Sequence, residues 1–172
     1  PVELAKNQHQ LSRLYYWNPA TLLPGTSEEV MLCSVPLIDS SGEVFGVCGL
    51  EVSAMLFKLA YMPNNTTYTR VFLMLAPSLG NTLDTTGAMF AGGYSAQSSF
   101  QNDRLLHVLK KNQNFYTYQE EGGNTYLGFH LPVNLYPKDS LFATEKWALA
   151  LMIPEEDIKA TVINNNLKLL FM

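Results

Sequence analysis

Charge is scarce in this sequence: only 15% of its residues are Asp, Glu, Lys or Arg, and the formal net charge is −4. No basic cluster exceeds Lys110-Lys111, so the electrostatic footprint of a nucleic-acid binder is missing. Cysteine is nearly absent. Cys33 and Cys48 are too few for a disulfide framework or a zinc site. No run of about eighteen apolar residues occurs, so no segment of the sequence reads as a membrane span. A signal peptide is lacking too, and the chain starts on Pro1 rather than Met, which reads as an excised or processed piece. The signatures of catalysis are equally sparse. There is no Gly-x-Ser-x-Gly elbow, phosphate loop or dinucleotide fingerprint. His9, His107 and His130 lack metal-ligand spacing, and Ala91-Gly92-Gly93 fits a turn after a strand better than a phosphate cradle. No catalytic residue, metal or cofactor is therefore expected.

What the chain does have is apolar bulk: 47% hydrophobic and 12% aromatic residues over 172 positions support a substantial core. The densest stretch is Glu28 to Ser53. Val30–Ile38 and Val44–Val52 read as two strands joined by Asp39-Ser40-Ser41-Gly42, a type I turn with Gly42 left-handed. Pairing Asp39 with Glu43 sets the expected register. Val30, Leu32, Ser34, Pro36 and Ile38 then share a face with Val52, Leu50, Cys48, Gly46 and Val44. Met31, Cys33, Val35 and Leu37 share the other with Glu51, Gly49, Val47 and Phe45. Both faces are largely apolar, so both should be covered and the hairpin should be central. In this register the two cysteines point to opposite faces and are expected as buried free thiols.

Along the chain, Val2–Arg13 suits a helix remnant, Leu14–Trp17 a short strand and Pro19–Ser27 a loop. Ser53–Tyr61 suits a brief helix, followed by a linker at Met62–Thr66. The sequon-like Asn64-Asn65-Thr66-Thr67 reads as a polar turn. Thr69–Leu75 and Ala88–Ala91 read as strands with a Gly- and Thr-rich connection between them. Asn102–Lys111 places Leu105, Leu106 and Leu109 at helical spacing. Asn114–Gln119 and Thr125–Val133 make a hairpin around Glu120-Glu121-Gly122-Gly123. Trp147–Ile153 is the last strand, with Trp147, Leu149, Leu151 and Ile153 facing one way and Ala148, Ala150 and Met152 the other. Pro154 followed by Glu155, Glu156 and Asp157 starts a helix, since proline suits its first turn and acids its positive end. That cluster reads as capping rather than metal binding.

A weak internal repeat underlies this order. Tyr15-Tyr16-Trp17, Ser34–Leu37 and Leu50–Ser53 form a strand series that Phe115–Thr117, His130–Val133 and Leu151–Pro154 repeat. The expected fold is α+β: two PAS-like antiparallel sheet modules with flanking helices. The first, 1–62, lacks its N-terminal half, and the second, 66–172, is complete with about five strands, the usual number for a small sheet. An uncovered edge on the first would invite association.

The hairpin also carries a family resemblance. Pro36-Leu37-Ile38-Asp39, Gly42-Glu43-Val44 and Gly46-Val47-Cys48-Gly49-Leu50-Glu51 resemble the signature of Cache sensor domains, PAS-like extracellular modules of bacterial membrane receptors. Tyr16-Trp17-Asn18-Pro19 is similar to the strand and turn that precede this hairpin in the double-Cache type. The resemblance covers about residues 12–56 and implies a non-catalytic, extracytoplasmic sensor of a bacterial inner-membrane protein. It implies a small-molecule ligand such as an amino acid or amine, membrane attachment through adjacent segments, and leaves room for a homodimer. It further implies that the chain ends just before a transmembrane helix, with ligand binding signalled along the C-terminal helix. The family usually has Asp where this chain has Glu51, an aspartate that binds a ligand's amino group. Glu51 with Tyr15 or Trp17 as an aromatic wall is the ligand site so implied. The bland alternative is that Glu51 reaches solvent at a strand end. Tyr116 and Tyr118, with Tyr126 beside them, are second-module candidates, although strand aromatics are more often packing. His130, in an apolar strand, reads as a hydrogen-bonded core histidine. Rival classes are a Cache module without ligand, serving as spacer or dimerisation platform, and a small α+β hydrolase or isomerase, for which no nucleophile–base pair is evident.

Overall fold

The computed structural model describes residues 10–64, 67–99, 105–112 and 114–170. A single 3₁₀ turn, Leu11–Arg13, precedes β1 (Tyr16–Trp17) and β2 (Thr21–Leu22). The long hairpin follows as β3 (Glu29–Ile38) and β4 (Val44–Ser53), then helix α1 (Ala54–Tyr61). The remainder is β5 (Phe72–Pro77), β6 (Thr82–Asp84), β7 (Met89–Gly92), α2 (Tyr94–Ser99), β8 (Leu105–Lys111), β9 (Tyr116–Glu120), β10 (Thr125–Val133), β11 (Trp147–Pro154) and α3 (Glu155–Leu170). These strands form two antiparallel sheets. In the first, β3 pairs with β4 on one side and with β1 and β2 on the other. The second has the order β6-β8-β9-β10-β11-β5-β7. The α+β, sheet-dominated architecture is the expected one, and no helix among the described residues is long and apolar enough to cross a membrane.

The hairpin turn forms as its chemistry dictates. Gly42 takes a φ of 87°, and Asp39 and Glu43 share a backbone bond of 2.9 Å. The Asp39 carboxylate accepts from the Ser41 N–H at 2.8 Å, the Ser41 hydroxyl at 2.6 Å and the Glu43 N–H at 2.9 Å. Ile38 opposes Val44 as expected, but a bulge then leaves Phe45 without a partner, and Leu37 opposes Gly46. From there every pair moves by one. Met31, Cys33, Val35 and Leu37 oppose Val52, Leu50, Cys48 and Gly46; Leu32, Ser34 and Pro36 oppose Glu51, Gly49 and Val47. The expected register is thereby corrected, and with it the cysteines: Cys33 and Cys48 lie on one face as diagonal neighbours. Both are free thiols, Cys33 half-buried and Cys48 exposed rather than buried.

The expectation of two covered faces also fails. Among the described residues β4 pairs only with β3, and Phe45, Val47 and Leu50 are 69%, 59% and 58% exposed. Strand alternation is satisfied only where a neighbour exists, and β3 has one on each side. Val30, Met31 and Pro36 of that strand are buried. Helix α1 begins with the Ser53 hydroxyl accepting from the Met55 N–H and ends before Pro63; Phe57 is its buried residue.

Alternation on β5 and β11 builds two cores. Phe72, Met74, Ala76, Ala148, Ala150 and Met152 face one side with Tyr118, Tyr126, Leu106 and Leu83. Leu73, Leu75, Trp147 and Leu149 face the other, where they meet Met31, Trp17, Val52 and Phe57, so this second core joins the two sheets. Trp147 is buried there, the anchor its alternation predicts. Two expectations fall in this region. Residues 105–111 form strand β8, not a helix, because β6 and β9 hydrogen-bond its two edges and Leu106 faces the core. Pairing on both edges overrides leucine spacing. With β6, hidden in the Gly- and Thr-rich connection, the strand count rises from about five to seven. The Val2–His9 part of the helix remnant, the Asn65-Thr66 part of the sequon and residues 100–104 lie outside the described residues.

Candidate functional site

Register decides which candidates can act together. Glu51 opposes Leu32 in the middle strand, and Tyr16 opposes Ser34, so both side chains belong to the same face of the first sheet. Trp17 opposes Cys33 and, with Tyr15, belongs to the other face. Glu51 therefore shares its face with Tyr16, while Tyr15 and Trp17, expected beside it, belong to the other. Glu51 is exposed and, among the described residues, forms no ion pair. Between Glu51 and Val47 stands exposed Gly49, opposite Ser34, where a side chain would collide with the Cys33 carbonyl at 2.7 Å. The result is a shallow face with one free carboxylate, a hydroxyl at Ser34 and apolar sides from Leu32 and Val47.

A second group forms where β1 meets the connection between β10 and β11. Tyr15 stacks on Tyr136 at 5.5 Å between ring centroids, and its hydroxyl donates to the Leu135 carbonyl at 2.9 Å. The Trp17 N–H donates to the Tyr136 hydroxyl at 2.9 Å. Tyr16 meets Phe142 edge-on at 4.9 Å. Glu145 neighbours the Tyr16 and Tyr136 phenols. Burial raises the Glu145 carboxyl above the ordinary range, partly offset by those two phenols. Burial, then the neighbouring Glu145, raises Tyr16 as well. Arg13 and Asp139 add an exposed ion pair at 3.0 Å. Tyr16, Tyr136, Phe142 and Glu145 were missed as site residues. The signal available was an aromatic-rich connection, 134–146, that is too long for a plain hairpin loop.

The second-sheet candidates are a packed core. Tyr116 and Tyr118 are tilted neighbours at 6.2 Å, and the Tyr118 hydroxyl and His130 Nδ1 lie 2.7 Å apart. Tyr116 covers the His130 ring at 4.7 Å. Burial pushes Tyr118 up and His130 down, so both rest neutral. Buried Glu120 accepts from the Tyr126 hydroxyl at 2.8 Å and from the Asn124 N–H at 3.2 Å. His130 is therefore the hydrogen-bonded core histidine its strand context predicts. Beside this core, a cavity of about 240 Å³ is lined by Arg70, Asn124, Tyr126, Glu156 and Lys159. Arg70 Nε donates to Asp157 at 2.8 Å and its Nη2 reaches Asp157 and Glu156, which occupies the acidic first turn of α3. No group of three or more His, Cys, Asp or Glu among the described residues is arranged to hold a metal.

No known family profile matches the sequence, and no curated protein matches it. Solved structures do. The ligand-binding domain of the Pseudomonas aeruginosa PAO1 amino acid chemoreceptor PctB, in complex with L-Arg, superposes with a TM-score of 0.50 at 13% identity. The match covers 87% of this chain and 58% of that domain. The two share a fold. The ligand-binding domain of the Pseudomonas fluorescens chemoreceptor CtaA, in complex with L-serine, gives 0.48 at 11% identity over 83% of this chain and 56% of that one. The periplasmic sensory domain of the Campylobacter jejuni chemoreceptor Tlp1 gives 0.45 at 13% identity over 84% and 50%. The chain spans about half the length of the domains it matches.

Proposed function

We propose that the chain is part of an extracytoplasmic, non-catalytic small-molecule sensor of a bacterial transmembrane receptor, with its ligand held on the Glu51 face of the first sheet. The observation that carries this reading is the exposed Glu51 carboxylate, which forms no ion pair among the described residues, on a face it shares with Leu32, Val47, Ser34 and Tyr16, within a fold shared with a chemoreceptor's ligand-binding domain. A carboxylate in that setting suits an amine, and Tyr16 supplies an aromatic surface on the same side. Residues 1–62 and 66–172 act as two modules, the second carrying α3 toward a membrane segment beyond this chain. Tyr116 and Tyr118, closed into a core with His130, serve that module's packing. Fold alone does not assign a ligand.

The test is calorimetry of the chain and of its Glu51→Gln variant against L-arginine, L-serine, GABA and simple amines. Loss of the charge pair should weaken binding by about five-fold to several hundred-fold, the equivalent of roughly 1–4 kcal/mol. Equal affinity in the two proteins would remove Glu51 from the site. A second reading, an association module without ligand, draws support from the exposed Phe45, Val47, Leu50, Met55, Leu56 and Leu59. Sedimentation showing a tight dimer that binds none of the probes would favour it.

A further inference from the structure

The 134–146 connection is folded on itself rather than draped between β10 and β11. The Ser140 N–H donates to the Pro137 carbonyl at 3.0 Å, the Ala143 N–H to the Ser140 carbonyl at 3.2 Å and the Glu145 N–H to the Phe142 carbonyl at 3.0 Å. Ser140 is buried, and its hydroxyl accepts from the Phe142 N–H at 3.2 Å. Tyr136 is buried as well, stacked on Tyr15, with its hydroxyl accepting from the Trp17 N–H. These turns wall a cavity of about 350 Å³, lined by Asn134, Tyr136, Pro137, Lys138, Ala143 and Lys146. That volume lies at the small end of the range for ligand pockets. Lys146 is pinned there: its Nζ donates to the Ala143 carbonyl at 2.7 Å, so the ammonium is held at the cavity with donors to spare.

The charge balance of this cavity is one-sided. Lys138 and Lys146 form no ion pair among the described residues, and none of the lining residues is a carboxylate. Of the two acids in the connection, Asp139 pairs with Arg13 at 3.0 Å and Glu145 neighbours the Tyr16 and Tyr136 phenols. The 240 Å³ cavity beside α3 is built the other way. There Arg70 meets Asp157 and Glu156, and Lys159 meets Glu155 at 3.1 Å, so its cations are already neutralised. In a chain of net charge −4, two unmatched ammoniums on one concave surface make a local field of opposite sign. We propose that the cavity in the connection binds a small organic anion, a dicarboxylate of about the size of succinate, whose carboxylates meet Lys138 and Lys146 while its carbon chain lies on Tyr136, Pro137 and Ala143. The Asn134 amide supplies a further donor. Ammonium groups accept carboxylate and phosphate oxygens alike, and the apolar wall is what favours an organic anion over inorganic phosphate. The site shares no lining residue with the Glu51 face and does not depend on the ligand reading above.

Calorimetric titration with succinate, acetate and inorganic phosphate provides the test, on the wild type and on Lys138→Gln, Lys146→Gln and Lys110→Gln. Lys110 is an exposed cation of β8 outside the cavity and serves as the control. Succinate should bind saturably and more tightly than acetate or phosphate. Each cavity variant should weaken it by about five- to fifty-fold, as expected for the loss of one charge-assisted contact. Lys110→Gln should leave the affinity unchanged. Both cavity lysines are exposed, so their replacement leaves the fold intact. No saturation by about 1 mM succinate would overturn the site. So would equal losses from all three substitutions, which would mark an effect of net charge alone. Phosphate bound more tightly than succinate, with both cavity lysines required, would overturn the assignment to an organic anion.

Discussion

The two sheets are written in nearly the same alphabet, yet the long strands β5 and β11 of one are buried while β4 of the other lies open. On the second sheet, β5 and β11 alternate between two cores, and Phe72, Met74, Ala150 and Met152 are fully buried. On the first, β4 carries a comparable load of Val, Phe and Leu and leaves most of it in water. The difference lies in neighbours rather than composition. β11 has a strand on each side and packed residues above and below, whereas β4 has one strand and, among the described residues, an open edge. Apolar alternation states what a strand can bury; the surrounding elements decide how much it does bury. Polar groups follow the same division. Glu120 and His130 of the second sheet are bonded within it, whereas Glu51 of the first is exposed and forms no ion pair among the described residues.

The largest test of this contrast is truncation on each sheet. Phe72→Ala should cost about 3–5 kcal/mol, the usual range for deleting a buried aromatic, whereas Phe45→Ala on β4 should stay within about 0.5 kcal/mol. Urea unfolding of the two variants decides it. Comparable losses would mean that β4 is covered in solution and that the contrast fails.

Acid and base titration of stability should show a smaller effect of opposite sign in the two regions. Burial lowers the His130 pKa below 6.5, so the unfolded chain takes that proton first. Stability is then fully present above pH 6.5 and is lost as pH falls through that value toward the folded pKa. Burial raises Glu145 above 4.5, so the folded chain holds that proton more tightly. Its ionisation therefore removes stability as pH rises from 4.5 through the folded pKa. His130→Gln should flatten the first limb and Glu145→Gln the second in unfolding measured against pH. Unchanged profiles would show that neither group is desolvated as described.

The finest test uses the thiols. Cys48 is exposed and Cys33 half-buried with its pKa raised by burial, so a thiol reagent should label Cys48 in the native protein well before Cys33. Labelling at equal rates would mean that β4 opens from β3 as readily as it exposes its own face.

Much of this was legible from residues alone. The Asp39–Gly42 turn, the alternation on Trp147–Ile153, the Ser53 start of α1 and the acidic start of α3 are local, and short-range chemistry specifies them. The resemblance of the hairpin to Cache domains likewise pointed to the fold before any contact was visible. The bulge at Phe45 was not legible, because nothing in Val44-Phe45-Gly46 distinguishes a bulged strand from a regular one. That single extra residue moved Glu51 to the face of Tyr16 and away from Trp17. The aromatic group around Glu145 was equally hidden, since it joins residues separated by about 120 positions through a connection with no regular structure.

The sequence by itself determined the Asp39–Gly42 turn, the starts of α1 and α3, the alternation of the last strand and the antiparallel, sheet-dominated class of the fold. Those are properties of a few neighbouring side chains and of the backbone between them. Only the tertiary structure decided the faces: that residues 105–111 are a strand because two others claim its edges, that β4 stays open, and that Tyr16 rather than Tyr15 shares a side with Glu51. Faces in a sheet alternate residue by residue, so a shift of one position, set by pairing far along the chain, reverses every one of them.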